Sequence, residues 1–170
     1  MMRNGGQLLV ESLVGLGATK GFGVPGESYL AVLDALHDTK GQLDFIICRN
    51  EGGAAFMAAA WGKLMGQPGL CFVTRGPGVT NASIGIHTAR QDSTPMFAIV
   101  GQVERANHGR EAFQEIDQVA TLGGLAKWAA ERRTAAEVPA VMARAVREAL
   151  GGRQGPVLLS LPEDLLDEQA

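Results

Sequence analysis

The chain is poor in the features that mark several protein classes. It has two cysteines, Cys48 and Cys71, in 170 residues. That is too few for the disulfide framework of a secreted scaffold, and the two stand at no metal-ligand spacing. They read as small buried hydrophobes in a reducing compartment. Positive charge is not in excess: 15 Lys and Arg against 18 Asp and Glu leave a formal charge of −3. Nothing therefore neutralises nucleic-acid phosphates in bulk. No apolar run approaches the ~18–20 residues of a membrane helix. The opening stretch, Met1 to Gln7, lacks the apolar core of a secretion signal, which points to the cytoplasm. There is no G-x-x-x-x-G-K-[ST] phosphate loop. The three histidines, His37, His87 and His108, are scattered. Aromatic residues are only 5%, yet 46% of the chain is hydrophobic, too much for a disordered segment. Glycine is what the chain has in abundance: 23 residues in 170, about 13% against a usual ~7%. Backbones must turn tightly, or approach something closely, in several places.

Helical and strand patterns alternate along the sequence. Leu8, Leu9, Leu13, Val14 and Leu16 recur at helical spacing before Gly17. A short strand, Phe22 to Val24, breaks at Pro25-Gly26. Ser28 is placed to cap a helix that buries Leu30, Leu33 and Leu36. Leu43 to Cys48 reads as a buried strand, Gly52 to Met65 as an Ala-rich helix, and Leu70 to Thr74 as a strand. Arg75 to Gly78 reads as a loop and Val79 to Ala89 as a helix with Asn81 near its cap. Pro95 to Val100 is a strand; residues 101–116 are polar and irregular. A short helix over 117–122, a weak strand over 125–129, an amphipathic helix over 138–150 and a strand over 157–161 complete the series. Residues 163–170 read as a frayed tail or a linker. Short all-apolar strands alternating with helices predict an α/β fold: three layers, α/β/α, around a mainly parallel sheet of about six strands. The length suits one domain spanning residues 1–170.

Ligands of such sheets bind outside the carboxyl ends of the strands. The loops expected there contain residues 23–28, 49–55, 74–81 and 101–115, and all four contain glycine. The stretch Gly21 to Gly26 matches G-x-G-x-x-G literally. Its context is wrong for a dinucleotide site, because a helix precedes it and Pro25 interrupts the turn. Glu51 stands out. It follows an apolar strand and precedes Gly52-Gly53-Ala54-Ala55, so a flat ring has access to the backbone beside a carboxylate. A first-turn acid at a helix amino terminus accounts for it equally well on these grounds.

Several segments, taken in order, carry a resemblance. They are Gly23-Val24-Pro25-Gly26-Glu27, Arg49-Asn50-Glu51-Gly52-Gly53-Ala54-Ala55-Phe56-Met57-Ala58, Gly76-Pro77-Gly78-Val79-Thr80-Asn81, Asp92-Ser93-Thr94-Pro95, Gly101-Gln102-Val103, Phe113-Gln114-Glu115 and Gly155-Pro156-Val157. In this order and spacing the chain, from Gly6 to about Asp164, resembles the amino-terminal pyrimidine-binding domain of thiamine-diphosphate-dependent enzymes, most closely the acetolactate synthase-like branch. The resemblance implies that Glu51 hydrogen-bonds N1′ of the cofactor's aminopyrimidine and promotes the imino tautomer that deprotonates the thiazolium C2 carbon. The activated cofactor then attacks a 2-keto acid, which loses carbon dioxide. It implies further that Pro25, Gly26, Thr74, Pro77, Gly78 and Asn81 surround the pyrimidine. Phe113 and Gln114, with Gln102 beside them, line the substrate side. The sequence departs from the acetolactate synthase pattern at Asn50, where His is frequent, at Gly52, where Gln is frequent, and at Glu27, where Gly is common.

The Gly-Asp-Gly motif that holds Mg²⁺ and the diphosphate in this family does not occur in the chain. No residue here is therefore expected to ligate the metal. The diphosphate half and the middle domain, which binds FAD in acetolactate synthases, are expected elsewhere, and this chain alone is expected to catalyse nothing. The resemblance also implies a homo-oligomer in which this domain faces the diphosphate domain of another subunit across an exposed apolar face. Three functions stay open at this point. One is a part of a carboligase acting on pyruvate. Another is a part of a 2-keto-acid decarboxylase or lyase. The third is a non-catalytic assembly module that reuses the fold.

Overall fold

The structure is a computed structural model that describes residues 2–170. Six strands form one sheet: β1 (Lys20–Gly23), β2 (Asp44–Ile47), β3 (Gly69–Thr74), β4 (Met96–Gln102), β5 (Trp128–Glu131) and β6 (Pro156–Pro162). Their order is β2-β1-β3-β4-β6-β5, and every pair is parallel. Helices α1 (Gly5–Gly15), α2 (Leu30–Asp38) and α6 (Val138–Leu150) cover one face. Helices α3 (Glu51–Met65), α4 (Arg75–Gln91) and α5 (Gln118–Leu122) cover the other. This is the α/β/α sandwich expected from the sequence, with a wholly parallel sheet.

The central strands show why both faces need helices. Successive side chains point to opposite sides of a strand. Leu70 and Phe72 of β3 enter the core under α1, α2 and α6, while Cys71 and Val73 enter the core under α3 and α4. Phe97 and Ile99 of β4 divide from Ala98 and Val100 in the same way. The first core is built from large side chains, among them Leu9, Leu13, Phe72, Met142 and Leu159. Each such burial contributes about 1.5–3 kcal/mol. The second is largely alanine, with Ala54, Ala55, Ala58, Ala82 and Ala89 buried, so α3 and α4 lie close to the sheet and to each other.

Several local expectations are corrected. The segment 43–48 forms an edge strand, not a buried one: β2 is covered on one side by β1 only, and Ile47 is 68% exposed. Leu30 is likewise exposed: a 3-10 turn over Glu27–Tyr29 precedes α2, which begins at Leu30 itself, one residue later than a Ser28 cap would set it. Ser28 is instead fully buried, with its Oγ 2.5 Å from Thr74 Oγ1. Residues 75–78 are the first turn of α4, not a loop. Pro77 fits there because first-turn N–H groups have no intrahelical partner. The last strand before α6 lies at 128–131, later than expected. Residues 163–170 are not frayed. They form α7 (Glu163–Asp167), whose Leu165 and Leu166 are buried, and Gln169 bridges antiparallel to Asn4. Asn4 also caps α1 in a reciprocal pair with Gln7, at 2.8 and 3.1 Å. No helix of the described residues is long and apolar enough to cross a membrane.

Candidate functional site

The chain winds from β1 outward to β2, then returns past β1 to β3 and onward. The winding reverses between β1 and β3, and such a switch point leaves a crevice at the carboxyl ends of the strands. The residues singled out from the sequence fall along this edge. Pro25 and Gly26 follow β1, Glu51 follows β2, and Thr74 ends β3 with Pro77, Gly78 and Asn81 in α4 behind it. Gln102 ends β4. The polar segment 103–116 then loops back until the carbonyl of Gln114 accepts from the N–H of Gly76, at 3.0 Å. Four adjacent strands thus bring all ten residues to one side of the molecule.

Glu51 is the first residue of α3. Asn50 caps the helix, its side chain accepting from the N–H of Gly53 at 3.2 Å. The half-buried Glu51 carboxylate therefore sits in the favourable field of a helix amino terminus. The structural and functional accounts of this residue are compatible, since the same position serves both. Asn81 does not cap a helix. It lies in the second turn of α4, and its Nδ2 donates to Glu51 Oε2 at 3.0 Å. The contact exists because α3 and α4 cross closely. A Cβ at Gly85, one turn beyond Asn81, would lie 2.5 Å from Ala55 Cβ. Gly26 is fitted in a similar way: a Cβ there would lie 2.5 Å from that of Thr74. Glu51 thus has one oxygen committed to Asn81. Its other oxygen is not engaged by Asn81, and Gly52 and Gly53 follow directly in the chain, so the carboxylate is suited to sharing a proton with a heteroaromatic ring nitrogen.

The substrate candidates behave differently from one another. Phe113 is 71% exposed. Gln114 adopts a left-handed backbone, φ 63°. Gln102 is buried, and both ends of its amide are used within the chain: Nε2 donates to the carbonyl of Ile116 at 2.9 Å, and Oε1 accepts from the N–H of Val103 at 2.9 Å. It braces the two ends of the 103–116 loop. That loop is also tied by Glu115, whose carboxylate accepts from the N–H groups of Gly109 and Ala112 and is held below the ordinary carboxylate range by them.

Two cavities flank the edge. One of about 580 Å³ is lined by residues including Glu27, Arg75 and Glu163; another of about 700 Å³ is lined by residues including Gln102, His108 and Glu131. Glu51 lines neither. On the elements that carry Glu51 and Asn81, and at the end of β2, the apolar side chains Ile47, Phe56, Met57 and Ile84 are exposed. The other residues singled out from the sequence carry no chemistry here. Gly21 and Gly23 lie inside β1, His37 and His87 are exposed on their helices, and Cys48 and Cys71 are free thiols. Burial pushes the Cys71 thiol up. Arg75 was assigned nothing from the sequence. It is 6% exposed and pairs with Glu27 at 2.7 Å and Glu163 at 2.8 Å. A cation directly after a buried strand was the signal for it.

The family described as "Thiamine pyrophosphate enzyme, N-terminal TPP binding domain" matches residues 3–121. The chain is 39% identical over 162 residues to the acetolactate synthase isozyme 2 large subunit of Escherichia coli (strain K12), covering 95% of this chain and 29% of that protein. It is 38% identical over 164 residues to the acetolactate synthase of Bacillus subtilis (strain 168), covering 96% of this chain and 28% of that protein. With the isozyme 3 large subunit of E. coli the identity is 39% over 166 residues, covering 98% and 29%. The chain therefore spans less than a third of the length of these curated relatives.

Proposed function

Because the chain belongs to the thiamine pyrophosphate enzymes, as their N-terminal cofactor-binding domain, we propose that it is the pyrimidine-binding half of an acetolactate synthase-like enzyme acting on a 2-keto acid, with pyruvate the first substrate to test. The observation that carries this reading is the Glu51 carboxylate at the start of α3, bonded to Asn81 of α4 across the two helices and followed in the chain by two glycines. The bound cofactor supplies a thiazolium ring able to stabilise a carbanion. Glu51 holds and exchanges a proton with the pyrimidine nitrogen through its uncommitted oxygen. Asn81 fixes the carboxylate so that it does not swing into solvent. Pro25, Gly26, Thr74, Pro77 and Gly78 form the wall against the ring. Phe113 and Gln114 present the substrate side, and Gln102 holds their loop in place. The Mg²⁺ and diphosphate fall to a second domain. The exposed Ile47, Phe56, Met57 and Ile84 face is the surface on which a homo-oligomer brings that domain in. FAD has no site proposed on this chain.

The test is Glu51→Gln in the full-length enzyme. A neutral amide keeps the shape but cannot take the proton. Turnover should fall by about 10²–10⁴, the usual worth of a positioned acid–base group, with thiamine diphosphate still bound. Unchanged turnover would defeat the assignment and favour an assembly module. The departures at Asn50 and Gly52 support one second reading, a decarboxylase or lyase of the same superfamily. Release of acetaldehyde rather than acetolactate from pyruvate distinguishes it.

A further inference from the structure

Arg75 is the first residue of α4, directly after β3, with φ 43°, a conformation that side-chain-bearing residues seldom adopt. Its guanidinium reaches three separate segments. Nη1 donates to Glu27 Oε1 at 2.7 Å, on the loop after β1 that carries Pro25 and Gly26. Nη2 donates to Glu163 Oε2 at 2.8 Å, at the start of α7. The guanidinium carbon lies over the ring of Phe113, 5.8 Å from its centroid. The next residue continues the contact through its main chain, Gly76 N–H donating to the Gln114 carbonyl at 3.0 Å. A Cβ on Gly76 would lie 2.8 Å from that oxygen, so only glycine lets the loop come this close.

The Phe113 ring is not in the core. At 71% exposure it gains little from burial, yet it sits on a guanidinium that is itself almost wholly buried. An exposed aromatic ring held by a buried cation is presented outward. We infer that Arg75 is a positioning residue: it locks Phe113 and Gln114 to the Pro25–Glu27 loop, so that the substrate side and the cofactor side of the crevice keep one geometry. The inference rests on the function proposed above. Arginine suits the role because its fork serves two carboxylates on different segments while its face takes an aromatic ring; lysine offers one mobile point charge.

The experiment uses the full-length enzyme with pyruvate as substrate and the variants Arg75→Lys, Arg75→Met, Phe113→Ala and the Arg75→Met/Phe113→Ala double. Arg75→Met and Phe113→Ala should each raise KM for pyruvate about tenfold, with kcat and the activation constant for thiamine diphosphate changing less than about threefold. Arg75→Lys should fail to restore KM. The double variant should be no worse than the worse single, because both act through one contact. Amide exchange over residues 109–116 should quicken in Arg75→Met. Multiplying KM effects, an unchanged KM, or unaltered exchange in a folded variant would overturn the proposal. If Arg75→Met does not fold, Glu27→Gln removes one leg at an exposed partner and should shift KM and exchange in the same direction by less. Full-length enzyme that turns over no 2-keto acid would end the catalytic reading itself, and exchange at 109–116 then decides alone whether Arg75 holds the loop.

Discussion

Gly85 is where a single methyl group should reach the candidate site from a distance. An alanine Cβ there would lie 2.5 Å from Ala55 Cβ, 2.8 Å from the Ala55 carbonyl carbon and 3.0 Å from the Phe56 nitrogen. Two of these three atoms are backbone, so side-chain rotation offers no relief and α3 must part from α4 by about 1 Å to regain ordinary contact. Asn81 lies one turn from Gly85 on the same helix. The same displacement lengthens its 3.0 Å bond to Glu51 to roughly 4 Å, beyond hydrogen-bond range. Overpacking of this kind costs about 1–3 kcal/mol, and the better helix propensity of alanine returns about 1. Gly85→Ala should therefore lose up to about 2 kcal/mol in urea denaturation of the full-length protein and weaken thiamine diphosphate binding in a calorimetric titration. Adding Ala55→Gly removes the nearest contact but leaves the two backbone ones, so it should recover part of both losses. A Gly85→Ala protein with wild-type stability and wild-type cofactor affinity would refute the claim that helix spacing holds the Glu51–Asn81 pair.

Two further outcomes follow from packing and charge. Leu165 is fully buried against the α1 and α2 side of the core, so Leu165→Ala should destabilise by about 2–5 kcal/mol; a change below about 0.5 kcal/mol would show that α7 is not part of the folded unit. Glu115 is held below the ordinary carboxylate range, first by the Gly109 amide and then by that of Ala112. A depressed acid contributes stability that is whole above its unfolded value and is lost as pH falls through its folded value. The stability gap between wild type and Glu115→Gln should thus be constant above the ordinary carboxylate range and close as pH falls below it. A gap that stays open at the acid end would remove this charge from the account of the loop.

The fold was legible where burial imposes a pattern. Leu70 to Val73 and Met96 to Val100 are apolar on both faces of the strand because helices cover both, and such runs admit few other readings. Edge position was not legible. Phe45, Ile46 and Ile47 have the composition of a central strand, and only the order of strands shows that Ile47 faces outward. Ser28 and Asn81 were read as caps because residue type favours that role locally. Their actual partners, Thr74 and Glu51, are distant in sequence, and no local rule anticipates them. The position of Glu51 after a strand and before small residues was legible from physics alone, but its chemistry came from the resemblance.

Glu27 and Arg75 show what reading residues one at a time misses. In sequence they are 48 positions apart: one an acid where glycine is common, the other a cation inside a glycine-proline stretch that reads as a loop. Separately each looks like an isolated oddity. In the fold they form one ion pair, to which Glu163 adds a second carboxylate on Arg75. The cost of an unmatched charge is greater for Arg75, whose side chain is only 8% exposed, than for Glu27, which faces solvent at 66%. Loss of Glu27 still leaves Arg75 bonded to Glu163, whereas loss of Arg75 releases Glu27, Glu163 and Phe113 together. The pair is therefore asymmetric, and Arg75 rather than Glu27 is the residue on which the geometry of the two loops depends.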